Sequence, residues 1–100
     1  MILAIDEGTT GVTCLVIDDD GRVRGRGYRE IQQYFPRPGQ VEHDPLEIFA
    51  AVRETAASAA EMAGVRLDGL DGMGITNQRE TVVVWDRDTG EPVHRAIVWQ

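Results

Sequence analysis

The stretch AIDEGTTGVTCLVID, residues 4–18, sets an acidic pair and a run of Gly and Thr between two apolar segments. Upstream, residues 2–5 are four consecutive apolar side chains rather than an alternation, the pattern of a central strand buried on both faces. Downstream, TCLVID (13–18) is rich in β-branched and apolar residues and predicts a second strand. DDDG (18–21) is a turn signal, because Asp tolerates turn geometry and Gly21 takes positive φ without strain. In the third segment, 22–34, Arg22, Arg24 and Arg26 fall on one face, with Val23, Gly25 and Gly27 on the other. Three strands joined by short turns make an antiparallel meander. The loop between the first two, Glu7-Gly8-Thr9-Thr10-Gly11, reads either as a plain hairpin turn or as a loop shaped to hold something.

PRPGQ (36–40) breaks the pattern with two Pro and a Gly. A punctuated helix follows over residues 43–64. Asp44 is the expected N-cap, Pro45 takes the first helical position, and Glu47 stands three residues after the cap in capping-box spacing. Leu46, Phe49, Ala50, Arg53, Ala56, Ala57, Ala60 and Ala63 recur at steps of three and four, an Ala-rich stripe that lets a helix lie close to a sheet. Gly64 is the natural stop. Beyond it, Met73 to Thr76 predict a short buried strand and TVVVW (81–85) another. RDTGEP is a turn, and AIVWQ (96–100) begins a further strand. The order β-β-β-α-β-β is an α/β layer with a meander on one side, not a Rossmann series. Ile97, Val98 and Trp99 come last as apolar residues with nothing after them to cover them. The expectation is therefore the N-terminal part of a longer protein.

Bulk properties narrow the function. A net charge of −7 argues against nucleic acid or an anionic membrane surface as partner, since no excess of cations is available to displace counterions. No apolar run approaches the roughly 18 residues of a membrane span. MILAID lacks a basic leader and carries Asp6 too early for a secretory signal, so a cytoplasmic protein is expected. The single Cys14, inside an apolar run, fits a reducing compartment and reads as a small buried hydrophobe. All ten basic residues are Arg, which excludes a P-loop, because that motif needs a Lys for the β- and γ-phosphates.

Two stretches carry chemistry. Asp6 falls at the end of a strand expected to be buried, where a carboxylate must be hydrogen-bonded or hold a cation. Gly8 and Gly11 free the backbone beside it to bring N–H groups to an anion, and Thr9 and Thr10 add hydroxyls. A carboxylate for Mg²⁺ next to donors for phosphate is what a nucleoside triphosphate requires, and a hairpin with a capped Asp remains the alternative. The second stretch is NQRET (77–81). Arg79 donates two parallel bonds and Glu80 accepts two, a fit to vicinal hydroxyls. On a regular strand the two side chains point apart, so a bulge or loop is required. An exposed turn with a self-neutralising ion pair is the plainer reading. DDDG is a turn rather than a calcium loop, His43 and His94 lie far apart with no metal-site spacing, and Trp85 and Trp99 are core candidates.

AIDEGTTG, FPRPGQVEHDP, GITNQRETVVVWDRDTGEPV and AIVWQ, in this order over nearly the whole chain, resemble the N-terminal part of the FGGY carbohydrate kinases, in their glycerol kinase branch. That family lies within the actin-like ATPase superfamily, so the resemblance implies an actin-like (ribonuclease H-like) α/β domain. Residues 1–100 would form the N-terminal part of its first domain, with the rest of that domain and the second domain lying beyond them. It further implies ATP-dependent phosphorylation of glycerol to glycerol 3-phosphate, with ATP and Mg²⁺ as cofactors and a homo-oligomeric full-length protein. By the same resemblance, Gly8, Thr9, Thr10 and Gly11 hold the ATP phosphates and Asp6 stands near Mg²⁺. Arg79 and Glu80 grip the glycerol hydroxyls, Trp99 packs on its carbons, and the catalytic Asp comes from later in the chain. Gly11 and Thr13 depart from the family's common pattern, which has Ser and Arg there. Another FGGY sugar or polyol kinase, or a non-catalytic relative, are the rival expectations.

Overall fold

The computed structural model describes residues 1–98. The meander forms as expected: β1 (Ile2–Glu7), β2 (Gly11–Ile17) and β3 (Val23–Glu30) are antiparallel neighbours. After a two-residue strand, β4 (Glu42–His43), come the helix α1 (Pro45–Ala63) and then β5 (Gly72–Thr76), which pairs parallel to β1. The main sheet therefore runs β3-β2-β1-β5, and α1 is the crossover that the parallel pair demands. The last described strand, β6 (Ala96–Ile97), pairs with β4 as a separate two-stranded ladder.

Turn and cap chemistry act where the sequence places them. Asp18 Oδ1 accepts from the backbone N–H groups of Asp20 and Arg22, and Gly21 adopts φ 81°. Asp44 caps α1 by accepting from Leu46 N at 2.9 Å, Pro45 opens the helix, and Gly64 ends it in the left-handed region at φ 70°. Glu47 departs from the capping box. Its carboxylate accepts from Gln32 N at 2.6 Å and from the Tyr34 hydroxyl at 3.3 Å, tying the first turn of the helix to the chain leaving β3.

The face that α1 buries is rotated from the expected stripe. Ala51, Thr55, Ala56, Ala59 and Ala60 are buried, with Ile48, Val52 and Ala63 packed beside them, whereas Leu46, Phe49, Ala50, Arg53 and Ala57 are exposed. The cause lies on the sheet. A Cβ added to Gly25 would stand 1.9 Å from the Ala59 carbonyl oxygen, and one added to Gly27 would stand 2.3 Å from that of Thr55. The helix backbone thus rests directly on β3, and the contact selects the small residues of the helix rather than its largest apolar ones. Above it the core is closed by Leu3, Ile5, Val12, Cys14 and Val16. Thr55 donates to Ala51 O at 2.7 Å and lies 3.2 Å from Cys14 Sγ, so the buried hydroxyl is satisfied and burial pushes the Cys14 thiol pKa up.

Three expectations need correction. The register between β2 and β3 slips at Val16/Ile17, skipping Arg24, so Val23 leaves the face shared by Gly25 and Gly27 and is exposed. β5 forms, but every one of its residues is exposed, since α1 packs mainly over β3 and β2 and, among the described residues, nothing covers the faces or the outer edge of this strand. The 81–85 strand is reduced to isolated bridges, Val82 with Ile97 and Trp85 with Pro92, around the expected RDTGEP turn; Trp85 is 61% exposed rather than core.

Gly25→Ala is expected to destabilise the domain by about 1–3 kcal/mol through overpacking against Ala59, measured by urea unfolding. Gly69→Ala, where an added Cβ meets nothing within 4 Å, should stay within about 0.5 kcal/mol of the parent.

Candidate functional site

The β1–β2 turn is tight: Gly8 N donates to Gly11 O at 3.0 Å, leaving Thr9 and Thr10 at its tip. Three successive carbonyls of this loop are each taken by a donor from elsewhere. Gly8 O accepts from Gln78 Nε2 at 3.1 Å, Thr9 O from Gln33 Nε2 at 2.9 Å, and Thr10 O from Ile31 N at 3.1 Å. In a trans peptide the following N–H points opposite to its carbonyl. Anchoring Gly8 O and Thr9 O therefore turns the Thr9 and Thr10 amides away from their anchors, the orientation an anion-binding loop needs.

Between the two glutamines sits His43, with no solvent exposure. Its Nε2 is 2.6 Å from Gln33 Oε1 and its Nδ1 is 3.1 Å from Gln78 Nε2. The loop carbonyls decide every proton in this relay. Gln33 must turn its NH₂ to Thr9 O, so its oxygen faces His43 and Nε2 is the ring nitrogen that donates. Nδ1 then accepts from the Gln78 amide, whose NH₂ also serves Gly8 O. The relay requires a neutral imidazole, and burial pushes the His43 pKa down, against a smaller upward pull from Glu47 on α1.

The 77–81 segment answers the requirement for a break in the strand. Glu80 has φ 55°, the left-handed region, and is the one non-glycine residue with positive φ among those described. The Thr81 hydroxyl closes the turn by donating to Arg79 O at 3.2 Å, and lies 3.4 Å from Gln78 Oε1. Arg79 and Glu80 are both exposed. A cleft of about 480 Å³ is lined by Glu7, Gly8, Thr9, Asn77, Gln78, Arg79 and Glu80. Burial raises the pKa of the Glu7 carboxyl in its wall.

Four of the residues singled out from sequence thus meet in one cleft: Gly8, Thr9, Arg79 and Glu80. Thr10 lines a neighbouring depression with Glu30, Ile31 and Gln33. Asp6 is exposed rather than buried, and its Oδ1 accepts from the Thr76 hydroxyl at 2.8 Å across the β1–β5 pair. Trp99 lies outside the described residues. Gly11 does not line the cleft. A Cβ there would stand 2.6 Å from Arg29 O and 2.7 Å from the Tyr28 hydroxyl, so the absence of a side chain is a packing requirement set by β3. Sequence reasoning missed Gln33, His43 and Gln78 as a unit. The available signal was that His43 and Gln78 sit inside VEHDP and NQRET, the first being part of the stretches that carry the family resemblance and the second set apart by its polar side chains.

A mixed sheet in the order β3-β2-β1-β5, with its first hairpin loop facing a polar turn beyond the parallel strand, defines the N-terminal domain of the sugar kinases, an actin-like ATPase fold. The chain belongs to the FGGY family of carbohydrate kinases, whose N-terminal domain model matches residues 1–100. It is 56% identical over 99 residues to glycerol kinase 2 of Streptomyces coelicolor, covering 99% of this chain and 19% of that one. A crystal structure of Plasmodium falciparum glycerol kinase with ADP superposes with a TM-score of 0.86 at 34% identity, over 98% of this chain and 20% of the other. A xyloylose kinase from Brucella ovis gives a TM-score of 0.87 at 26% identity, over 97% and 20%. The chain spans about a fifth of the length of these relatives.

Gly11→Ser should cost about 1–3 kcal/mol in thermal or urea unfolding, because Tyr28 and the Arg29 carbonyl occupy the space. His43 makes stability depend on pH. Its folded pKa lies below the ordinary 6.5, so the full contribution is present above 6.5. It declines as pH falls below 6.5, where the unfolded chain takes up the proton first. The charged group acting on it is Glu47; unfolding followed between about pH 5 and pH 8 should show this slope, and His43→Gln should flatten it.

Proposed function

We propose that these residues form the N-terminal part of the first domain of a kinase that transfers the γ-phosphoryl group of ATP to a terminal hydroxyl of glycerol, giving glycerol 3-phosphate. The observation that carries this reading is the single cleft that brings the anchored Gly8–Thr9 loop against Arg79 and Glu80. The loop amides and the Thr9 and Thr10 hydroxyls meet the phosphates, with Gly11 holding the loop's base against β3. Arg79 and Glu80, presented on one turn by the left-handed backbone at Glu80, take the vicinal hydroxyls as donor and acceptor. The relatives named glycerol kinase, and the ADP in the Plasmodium structure, support the substrate and the nucleotide.

Mg²⁺ takes hard oxygen ligands, and the exposed Asp6 carboxylate, fixed through Oδ1 by Thr76, fits that preference directly or through water. When bound, the ion would neutralise phosphate charge. The base, an Asp in this reading, and the adenine site come from outside residues 1–100, and Trp99 supplies an apolar wall for the glycerol carbons. Rate then comes from positioning and charge neutralisation rather than covalent chemistry. The reading carries with it a cytoplasmic, homo-oligomeric enzyme. The likeness to the Brucella ovis kinase favours a second reading, a kinase of a ketose or longer polyol in the same cleft.

A coupled assay on the full-length protein across glycerol, longer polyols and ketoses decides between them, and glycerol should be the best substrate. Arg79→Ala should raise the glycerol KM by about 10- to 100-fold while moving the ATP KM little. Equal effects on both would remove Arg79 from the substrate side.

A further inference from the structure

The strongest unassigned feature is the fully buried His43, which is bonded to the two side chains that hold the β1–β2 loop, one of which, Gln78, belongs to the polar turn across the cleft. One arm runs from Nε2 through Gln33 to Thr9 O, and the other from Nδ1 through Gln78 to Gly8 O. Gln78 is itself part of the polar turn, one residue before Arg79, and its Oε1 faces the Thr81 hydroxyl that closes that turn. A single imidazole therefore joins the β1–β2 loop, the chain leaving β3 and the 77–81 turn.

We propose that His43 is a positioning residue that fixes the distance between the phosphate side and the acceptor side of the cleft. It acts through Gln33 on the Gly8–Thr10 loop and through Gln78 on the Asn77–Glu80 turn. This rests on the reading of the cleft as a kinase site. Each amide in the relay has one orientation that serves a backbone carbonyl, and with both amides so placed the ring has one donor and one acceptor to offer. No member can turn without leaving a loop carbonyl or a buried ring nitrogen unpaired. A displacement of either loop is thus transmitted to the other. Arg79 and Glu80 receive no direct support from the phosphate loop in this scheme except through Gln78. The buried, neutral ring suits this use, since a proton on Nδ1 would face the Gln78 NH₂ and open that arm.

The test uses the full-length protein with His43→Asn, Gln78→Met and the double variant. Gln78→Met changes a half-buried side chain on the rim of the cleft and keeps the test open if the His43 variant folds poorly. Hydrogen–deuterium exchange should rise in both the Gly8–Thr10 and Asn77–Glu80 segments in each single variant. In steady-state kinetics, each single variant should raise the KM of both ATP and the acceptor, together, by about tenfold, with the double variant no worse than the singles because one bridge is cut. Unchanged exchange in either segment, additive effects in the double variant, or a rise confined to one KM would overturn the proposal. Absence of turnover by the unmodified protein on every acceptor would sink the kinase reading alone, and the exchange data would still decide whether His43 couples the loops.

Discussion

The approach of α1 to β3 sets the rest of the geometry. Gly25 and Gly27 let the helix backbone come down onto the sheet, closer than any side chain would permit, and Ala51, Ala56, Ala59 and Ala60 keep it there. The helix is the crossover between the meander and β5, so its height above the sheet decides where β5 begins and where the turn beyond it arrives. It also decides where Glu47 sits, and Glu47 holds the chain leaving β3 at Gln32. Gln33 follows directly. The contact between two glycines and a helix backbone thus reaches the cleft through ordinary chain connectivity.

On the other side of that connection the structure uses polar groups rather than packing. The hairpin loop has no apolar side chain to fix it, so its position rests on three carbonyls held by Ile31, Gln33 and Gln78. Such an arrangement is sensitive to the loss of any donor, because each carbonyl released removes one of the loop's few anchors. It also leaves the opposite edge of the loop free for a ligand, which a loop held by side-chain packing would not.

Much of the fold is legible in the sequence because its signals are local. The turn at Asp18–Gly21, the cap at Asp44, the stop at Gly64 and the meander follow from residue chemistry at fixed spacing. The helix face did not follow. Periodicity picks out Leu46 and Phe49 as apolar, but the closeness imposed by Gly25 and Gly27 favours the smaller residues one step around, and that closeness is a tertiary fact. Apolar Ile75, Val82, Val84 and Trp85 predict buried strands at 73–76 and 81–85, yet these side chains are exposed among the described residues. In the cleft, Gly8, Thr9, Arg79 and Glu80 announced themselves by type, and the expected break in the strand is present at Glu80. His43 and Gln33 did not, since a relay built from residues ten and thirty-five positions apart leaves no local pattern. Gly11, which looked like a lost hydroxyl, is explained by Tyr28 on the adjacent strand.

The left-handed backbone of Glu80 places a cost on evolution and engineering alike. A glutamate held at φ 55° carries strain on the order of 1–3 kcal/mol that Gly, or less fully Asn, would relieve. Selection for thermal stability alone would therefore drift toward Gly at this position and discard the carboxylate to which we assign the acceptor side of the cleft. On the proposed reading, position 80 is where stability and function pull apart.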